Sequence, residues 1–252
     1  MLCSLIRQWV FLPPTPSSYN TEIEGLLFAQ RTVRHLSSVS IFQIPYFYEI
    51  IDPVLPTILF SHGNAEDIGQ YRGHLNSIAR ALHANVCVYD YVGYGLNAGT
   101  PSEKHCYDDV VTIYSRLVNF HGVSPENIIL CGRSLGSGPA CYLAESLCDQ
   151  TIPFRGLILL SPIASVIKTV MIMSFWGDPF PNYRRAPRIT CRTILLHGDQ
   201  DTVVPMAASI ELDQALAGPH EFRLLEGRSH NNIWIENEDD RACVLIRQFF
   251  NL

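Results

Sequence analysis

The sequence predicts an α/β fold in which one mostly parallel central sheet is flanked by helices. Three observations predict it. Short runs of four to six residues are continuously apolar rather than alternating, as strands buried on both faces of a parallel sheet must be. Segments of helical period separate them, which implies crossover units. The chain has 252 residues, of which 47% are hydrophobic and 17% charged, enough to close one core.

Taken in order, the first fifty residues include Val39-Ser40-Ile41-Phe42-Gln43-Ile44, whose stronger alternation suits antiparallel strands opening the sheet. Thr57–His62 is a buried strand bounded by Pro56 and Gly63, and Leu75, Ile78, Ala79 and Leu82 share a helix face after it. Val86–Tyr91 follows, ending at the Gly93-Tyr94-Gly95 turn, and then a helix with Val110, Ile113, Tyr114 and Leu117 inward. Ile128–Gly132, a helix from Gly138, and Gly156–Ser161 repeat the rhythm. Residues 162–190 break it and read as a short lid insertion, with Met171, Phe175, Trp176 and Phe180 lining an apolar groove; a helix packed on the core edge is the other reading. Thr193–His197, a helix facing inward through Ala207, Ile210, Ala215 and Leu216, the strand Phe222–Leu225 and a helix with Val244, Leu245, Gln248 and Phe249 complete the chain. Residues 1–20 form an apolar amino-terminal segment able to associate with a membrane, and residues 21–252 the folded domain.

Eighteen basic against 24 acidic residues give a net charge of −6, which argues against a nucleic-acid binder. No apolar run has the length of a membrane span. Eight scattered cysteines show no C-x-x-C pair, and no metal or organic cofactor is expected. The amino end lacks a small-residue cleavage site after its broken apolar stretch, so a reduced, cytoplasmic protein is expected.

The chemistry sits in four loops. Gly132-Arg133-Ser134-Leu135-Gly136 is a G-x-S-x-G elbow between a strand and a helix, which would expose the Ser134 hydroxyl at the carboxyl end of the sheet. A serine needs a base, and His230 stands in the loop between the last strand and the last helix. An acid is offered by Asp199 or Asp201 after the Thr193–His197 strand; Asp201 is chosen because it lies further out, nearer to His230. Backbone amides of Asn64 or Ala65, after the first buried strand, and of Leu135 would form an oxyanion hole. His62 and His197 end strands and read as structural.

These segments resemble the alpha/beta-hydrolase superfamily and, more narrowly, the alpha/beta-hydrolase domain-containing protein 17 family of serine depalmitoylases. The resemblance runs from Phe11-Leu12-Pro13-Pro14 almost to the end. It is carried by Ser61-His62-Gly63-Asn64-Ala65-Glu66-Asp67-Ile68-Gly69, Tyr89–Gly95, the Ser134 elbow, Ser161-Pro162, Phe180-Pro181-Asn182, His197–Asp201 and Glu226–Asn231. It implies the triad Ser134, Asp201 and His230 and a palmitoyl-protein thioesterase acting through an acyl-enzyme. A carboxylesterase or monoacylglycerol-type lipase would share that machinery, and a non-catalytic binding protein on the same scaffold is the alternative from another class. The expected partner is an acylated protein or a small acyl ester, with peripheral membrane contact and an unspecified oligomeric state. The family's amino-terminal cysteine cluster is reduced here to Cys3, and one acyl chain gives only marginal, reversible anchoring. Arg184, Arg185, Arg188 and Arg192 are the candidate second signal toward anionic lipid.

Overall fold

A computed structural model describes residues 10–34, 39–170, 178–233 and 237–252. Eight strands form one sheet in the order β1-β2-β4-β3-β5-β6-β7-β8. β1 (Leu27–Arg34) and β2 (Val39–Glu49) are the antiparallel opening pair, and β2 also runs antiparallel to β4. From β3 (Thr57–Ser61) and β4 (Asn85–Tyr89) through β5 (Ile128–Arg133), β6 (Gly156–Leu160), β7 (Thr193–Gly198) and β8 (His220–Leu225), every pairing is parallel. The mostly parallel sheet that the apolar runs predict is therefore present.

Those runs are apolar throughout because each face of the sheet has its own core. Ile58, Phe60, Ile129, Cys131, Ile194 and Leu196 point to one side, while Leu59, Leu130, Leu157 and Leu195 point to the other. The short α1 (Gly69–Arg72) and α2 (Leu75–Leu82) follow β3; α2 buries Leu75, Ile78, Ala79 and Leu82 as its spacing predicts. α3 (Glu103–Asn119) starts where the Ser102 hydroxyl accepts the His105 amide at 3.2 Å, and buries Val110, Ile113 and Leu117. α4 (Ser137–Asp149) follows the elbow, and α5 (Val166–Val170) and α6 (Asn182–Arg185) lie in the long connection.

Three details differ from the sequence reading. α7 (Met206–Ala215) buries Ala208, Ser209 and Leu212, while Ile210 is exposed. Ser209 is tolerated inside because its hydroxyl meets His197 Nδ1 at 2.8 Å. α8 (Arg241–Phe250) turns Ala242, Cys243, Ile246, Phe249 and Phe250 inward, with Leu245 partly buried against them, whereas Gln248 is exposed. β8 is an edge strand, paired among the described residues with β7 alone, and its Leu224 is half exposed.

The described part of the amino-terminal segment is docked on the domain: Val10, Phe11 and Tyr19 are buried in its core. Residues 10–20 thus belong to the folded body, and Cys3 lies outside the described residues. Arg185 and Arg188 both pair with Glu145, Arg188 also with Asp149, and Arg192 donates to the Phe249 carbonyl. Arg185 and Arg188 thus have carboxylate partners within the protein, which weakens the basic face suggested for lipid. Among the described residues, no helix is long and apolar enough to cross a membrane.

Candidate active site

Strand register brings the four loops together. Ser61 at the end of β3 lies opposite Gly132 of β5, so the His62–Ala65 loop and the Ser134 elbow leave the sheet side by side. Gly198 of β7 lies opposite Leu225 of β8, which aligns the loop bearing Asp199 and Asp201 with the loop bearing His230. Loops at the carboxyl ends of parallel strands are where such sheets place their sites.

At the elbow the serine itself takes the left-handed conformation, with φ +52°. Such a φ in a non-glycine residue is strained by order 1–3 kcal/mol and holds the side chain clear of the turn. The flanking glycines serve close approach. A β-carbon on Gly136 would stand 2.1 Å from the Ser61 carbonyl oxygen, and one on Gly132 would stand 2.5 Å from the Gly136 oxygen. Because backbone rather than side chain blocks it, Gly136→Ala is expected to lower the melting temperature by about 3–10 °C, readable by thermal denaturation. An unchanged melting temperature would show that the β3 end can give way.

His230 Nδ1 lies 2.8 Å from Asp201 Oδ2. A carboxylate only accepts, so Nδ1 carries the proton and the lone pair of the neutral ring is on Nε2. The other oxygen, Oδ1, accepts the amides of Val203 and Val204 at 2.9 Å each. Burial by itself would raise the Asp201 carboxyl; the hydrogen bonds from His230 and the Val204 amide outweigh it and hold it below the ordinary carboxylate range. Asp199 is exposed and accepts the Gly227 amide at 2.7 Å, fixing the turn rather than reaching the imidazole. His197 lies beneath Asp201, with Nε2 donating to the Val204 carbonyl at 3.0 Å; burial pushes its basicity down.

Ser134 and His230 are each 8% exposed. Among the described residues no hydrogen bond joins the Ser134 hydroxyl to the His230 ring; such bonds commonly tighten only around substrate. The two loops are nevertheless tied, because Arg133 Nη2 donates to the His230 carbonyl at 3.1 Å and to Asn231 Oδ1 at 3.3 Å.

The two oxyanion candidates in the first loop are not equivalent. The Ala65 amide is taken by Asn64 Oδ1 at 3.1 Å, whereas the Asn64 amide makes no hydrogen bond among the described residues. The Leu135 amide lies in the first turn of a 3₁₀ helix, where N–H groups have no intrahelical partner. Asn64 and Leu135 are therefore the available pair.

Beside Ser134 lies a small apolar cavity of about 160 Å³, walled by Val10, Leu135, Ile163, Val166 and Val204. The sequence reading put Met171, Phe175, Trp176 and Phe180 in such a groove. The first three lie outside the described residues, and Phe180 does not line the cavity. Its ring is fully buried, edge-on to Phe11 and Tyr107, over the α4 residue Gly138, because apolar surface at the base of the connection is used to seal the core.

Several supporting residues escaped the sequence reading. Arg133 pairs with Glu66, whose Oε2 accepts the Gly63 amide at 2.9 Å, so one partly buried ion pair links the elbow, the His62–Ala65 loop and the His230 loop. The Asn64 side chain accepts from the Leu12 amide and Tyr94 and donates to the Val10 carbonyl, pinning the amino-terminal segment against that loop. Asn182 Nδ2 bonds Ser137 Oγ at 3.2 Å and the Ile163 carbonyl at 2.9 Å, holding the long connection to the elbow. The Phe180-Pro181-Asn182 motif was the available signal for the last; the others pair residues far apart in sequence.

Comparison with known proteins adds to this geometry. Residues 52–179 match the Hydrolase_4 family model, described as serine aminopeptidase, S33. The chain is 35% identical over 180 residues to the alpha/beta hydrolase domain-containing protein aho-3 of Caenorhabditis elegans, covering 70% of this chain and 53% of that one. It is 32% identical to human alpha/beta hydrolase domain-containing protein 17B, with 70% and 61% covered. It thus aligns with little more than half the length of those relatives. Among solved structures, a putative hydrolase from Agrobacterium vitis S4 superposes with a TM-score of 0.65 at 18% identity, covering 89% of this chain and 99% of that one. Est1E from Butyrivibrio proteoclasticus, with ferulic acid bound, gives 0.62 at 14% identity over 83% and 94%. At such identities the structures speak to the fold alone.

Proposed function

The chain belongs to the alpha/beta-hydrolase family, and we propose that within it this protein is a serine hydrolase cleaving acyl thioesters or esters, with a palmitoyl-protein thioester as the substrate class. The observation that carries this reading is the Asp201–His230 hydrogen bond at 2.8 Å beside a serine held at positive φ. His230 Nε2 takes the Ser134 proton and the alkoxide attacks the acyl carbonyl. The Asn64 and Leu135 amides receive the tetrahedral oxyanion, and each such donor is worth about 10²–10³ in rate. His230 returns the proton to the departing sulfur or oxygen; water then enters by the same route and frees Ser134.

A specific observation favours the second reading, a carboxylesterase or monoacylglycerol-type lipase. The 160 Å³ cavity beside Ser134 falls below the roughly 300 Å³ at which ligand sites usually begin. Peripheral membrane contact belongs to the depalmitoylase reading, and the exposed Leu12 and Val203 near the cavity are the apolar side chains available for it. The two readings part on one measurement: turnover of a palmitoyl-cysteine peptide against a butyryl p-nitrophenyl ester by purified protein. A depalmitoylase is expected to favour the palmitoyl peptide in kcat/KM; a preference of about 10-fold or more for the butyryl ester would select the esterase reading. A chain inert to both that still binds acyl ligand would revive the non-catalytic reading.

A further inference from the structure

The described cysteines divide into two groups. Cys87, Cys106, Cys131, Cys141 and Cys243 are buried, and burial pushes their thiols up and keeps them unreactive. Cys148 and Cys191 are only half-buried, and both line one surface cavity of about 290 Å³. Ile152, Phe154 and Thr190 stand among its other walls.

The fold brings the pair together from distant parts of the chain. Cys148 lies in the last turn of α4, and Cys191 in the loop that enters β7. The Thr190 amide donates to the Cys148 sulfur at 3.4 Å across 42 positions of sequence, which sets that sulfur against the residue just before Cys191. Arg188 pairs with both Glu145 and Asp149, so the same helix end is fastened to the chain leading into β7.

The two thiols differ in acidity. The neighbouring Cys191 thiol, helped by Thr190, holds Cys148 below the ordinary thiol range in spite of burial, while Cys148 and burial push Cys191 up. The carboxyl end of a helix disfavours an anion. Here the Arg188 guanidinium stands at that end and the Thr190 amide points at the sulfur, and both oppose that effect. A nucleophilic thiolate next to a protonated thiol can be oxidised and then resolved within one chain.

We propose that Cys148 and Cys191 form a peroxide-reactive dithiol, a modification site that a hydroperoxide converts to a reversible disulfide. The Cys148 thiolate attacks one peroxide oxygen; the O–O bond breaks, an S–O bond forms, and the second oxygen leaves as hydroxide. The Cys191 thiol then attacks the Cys148 sulfur. The S–S bond forms, the S–O bond breaks, and the hydroxyl departs with the Cys191 proton as water. The two sulfurs together give up two electrons, which the hydroperoxide gains. An external dithiol returns both thiols. The site does not depend on the serine-hydrolase reading, since α4 runs 13 residues, about 20 Å, from the elbow to its far end.

The test treats the reduced full chain with hydrogen peroxide in small molar excess. Intact mass is expected to fall by two hydrogens, peptide mapping to join Cys148 to Cys191, and dithiothreitol to reverse both. Before oxidation, iodoacetamide at pH 7 should alkylate Cys148 about 10-fold faster than Cys191. Cys191→Ser should stop the reaction at a Cys148 sulfenic acid that dimedone captures, and Cys148→Ser should yield neither that adduct at position 148 nor the disulfide. The parent chain carries the main readout, so the result does not hang on the folding of a variant. A disulfide through another cysteine, two thiols still free after peroxide, Cys148 carried on to sulfinic acid without a disulfide, or equal alkylation of the pair would overturn the assignment.

Discussion

Ser134→Ala is expected to lower kcat by about 10⁵–10⁶-fold and to abolish fluorophosphonate labelling, with the melting temperature nearly unchanged. The size follows from covalent catalysis: without the hydroxyl there is no acyl-enzyme, and only oxyanion binding of a water-driven reaction is left. The fold should tolerate the change. The Ser134 carbonyl keeps its bond from Ser137 Oγ at 2.6 Å, and alanine needs no more room than serine. Only the positive φ is shared by both residues, so its strain cancels in the comparison. Retained labelling in a folded Ser134→Ala protein would remove Ser134 as the nucleophile, and with it the proposed acyl-enzyme.

Much of this arrangement was legible in the sequence because it is local. The elbow occupies five consecutive residues between a strand and a helix, and a mostly parallel sheet follows from the alternation of buried runs with helical ones. What was not legible depends on contacts made at a distance. Leu224 sits in an apolar run yet is half exposed, because apolar composition cannot say whether a strand has one neighbour or two. On α7 the inward face includes the polar Ser209 rather than Ile210, because the His197 ring gives its hydroxyl a buried partner. Phe180 lies in an aromatic stretch, which predicts a groove residue; its ring closes the core over Gly138 instead.

The Arg133–Glu66 pair shows the same limit within the site. The two residues are 67 positions apart and neither belongs to a motif as such. Arg133 occupies the variable position of the elbow pattern, and Glu66 lies inside the Ser61–Gly69 segment without an assigned role. Only the register of β3 against β5 sets the two loops next to each other and makes one ion pair of them. Motif residues near the reacting atoms can be read one at a time, while the groups that orient them require the sheet to be built first.

The sharpest discrimination is between two aspartates two residues apart. Asp201→Asn is expected to lower kcat by about 10⁴-fold, while Asp199→Asn stays within about 2-fold of the parent. An asparagine at 201 can present its NH₂ to His230 Nδ1, which then accepts; the proton moves to Nε2, the atom that must take the serine proton. It also removes the negative charge that stabilises the imidazolium. At 199 an amide oxygen can still accept the Gly227 amide, and nothing there touches the ring. Stability separates them too. Hydrogen bonding holds the Asp201 carboxyl below its unfolded value, so its contribution is fully present above about pH 4 and is lost as pH falls through the lowered value. Asp201→Asn should therefore melt earlier than the parent at pH 7, with the deficit shrinking in acid. If Asp199→Asn proved the crippling change instead, the Asp201–His230 bond would be a structural contact, and the imidazole would take its orientation from elsewhere.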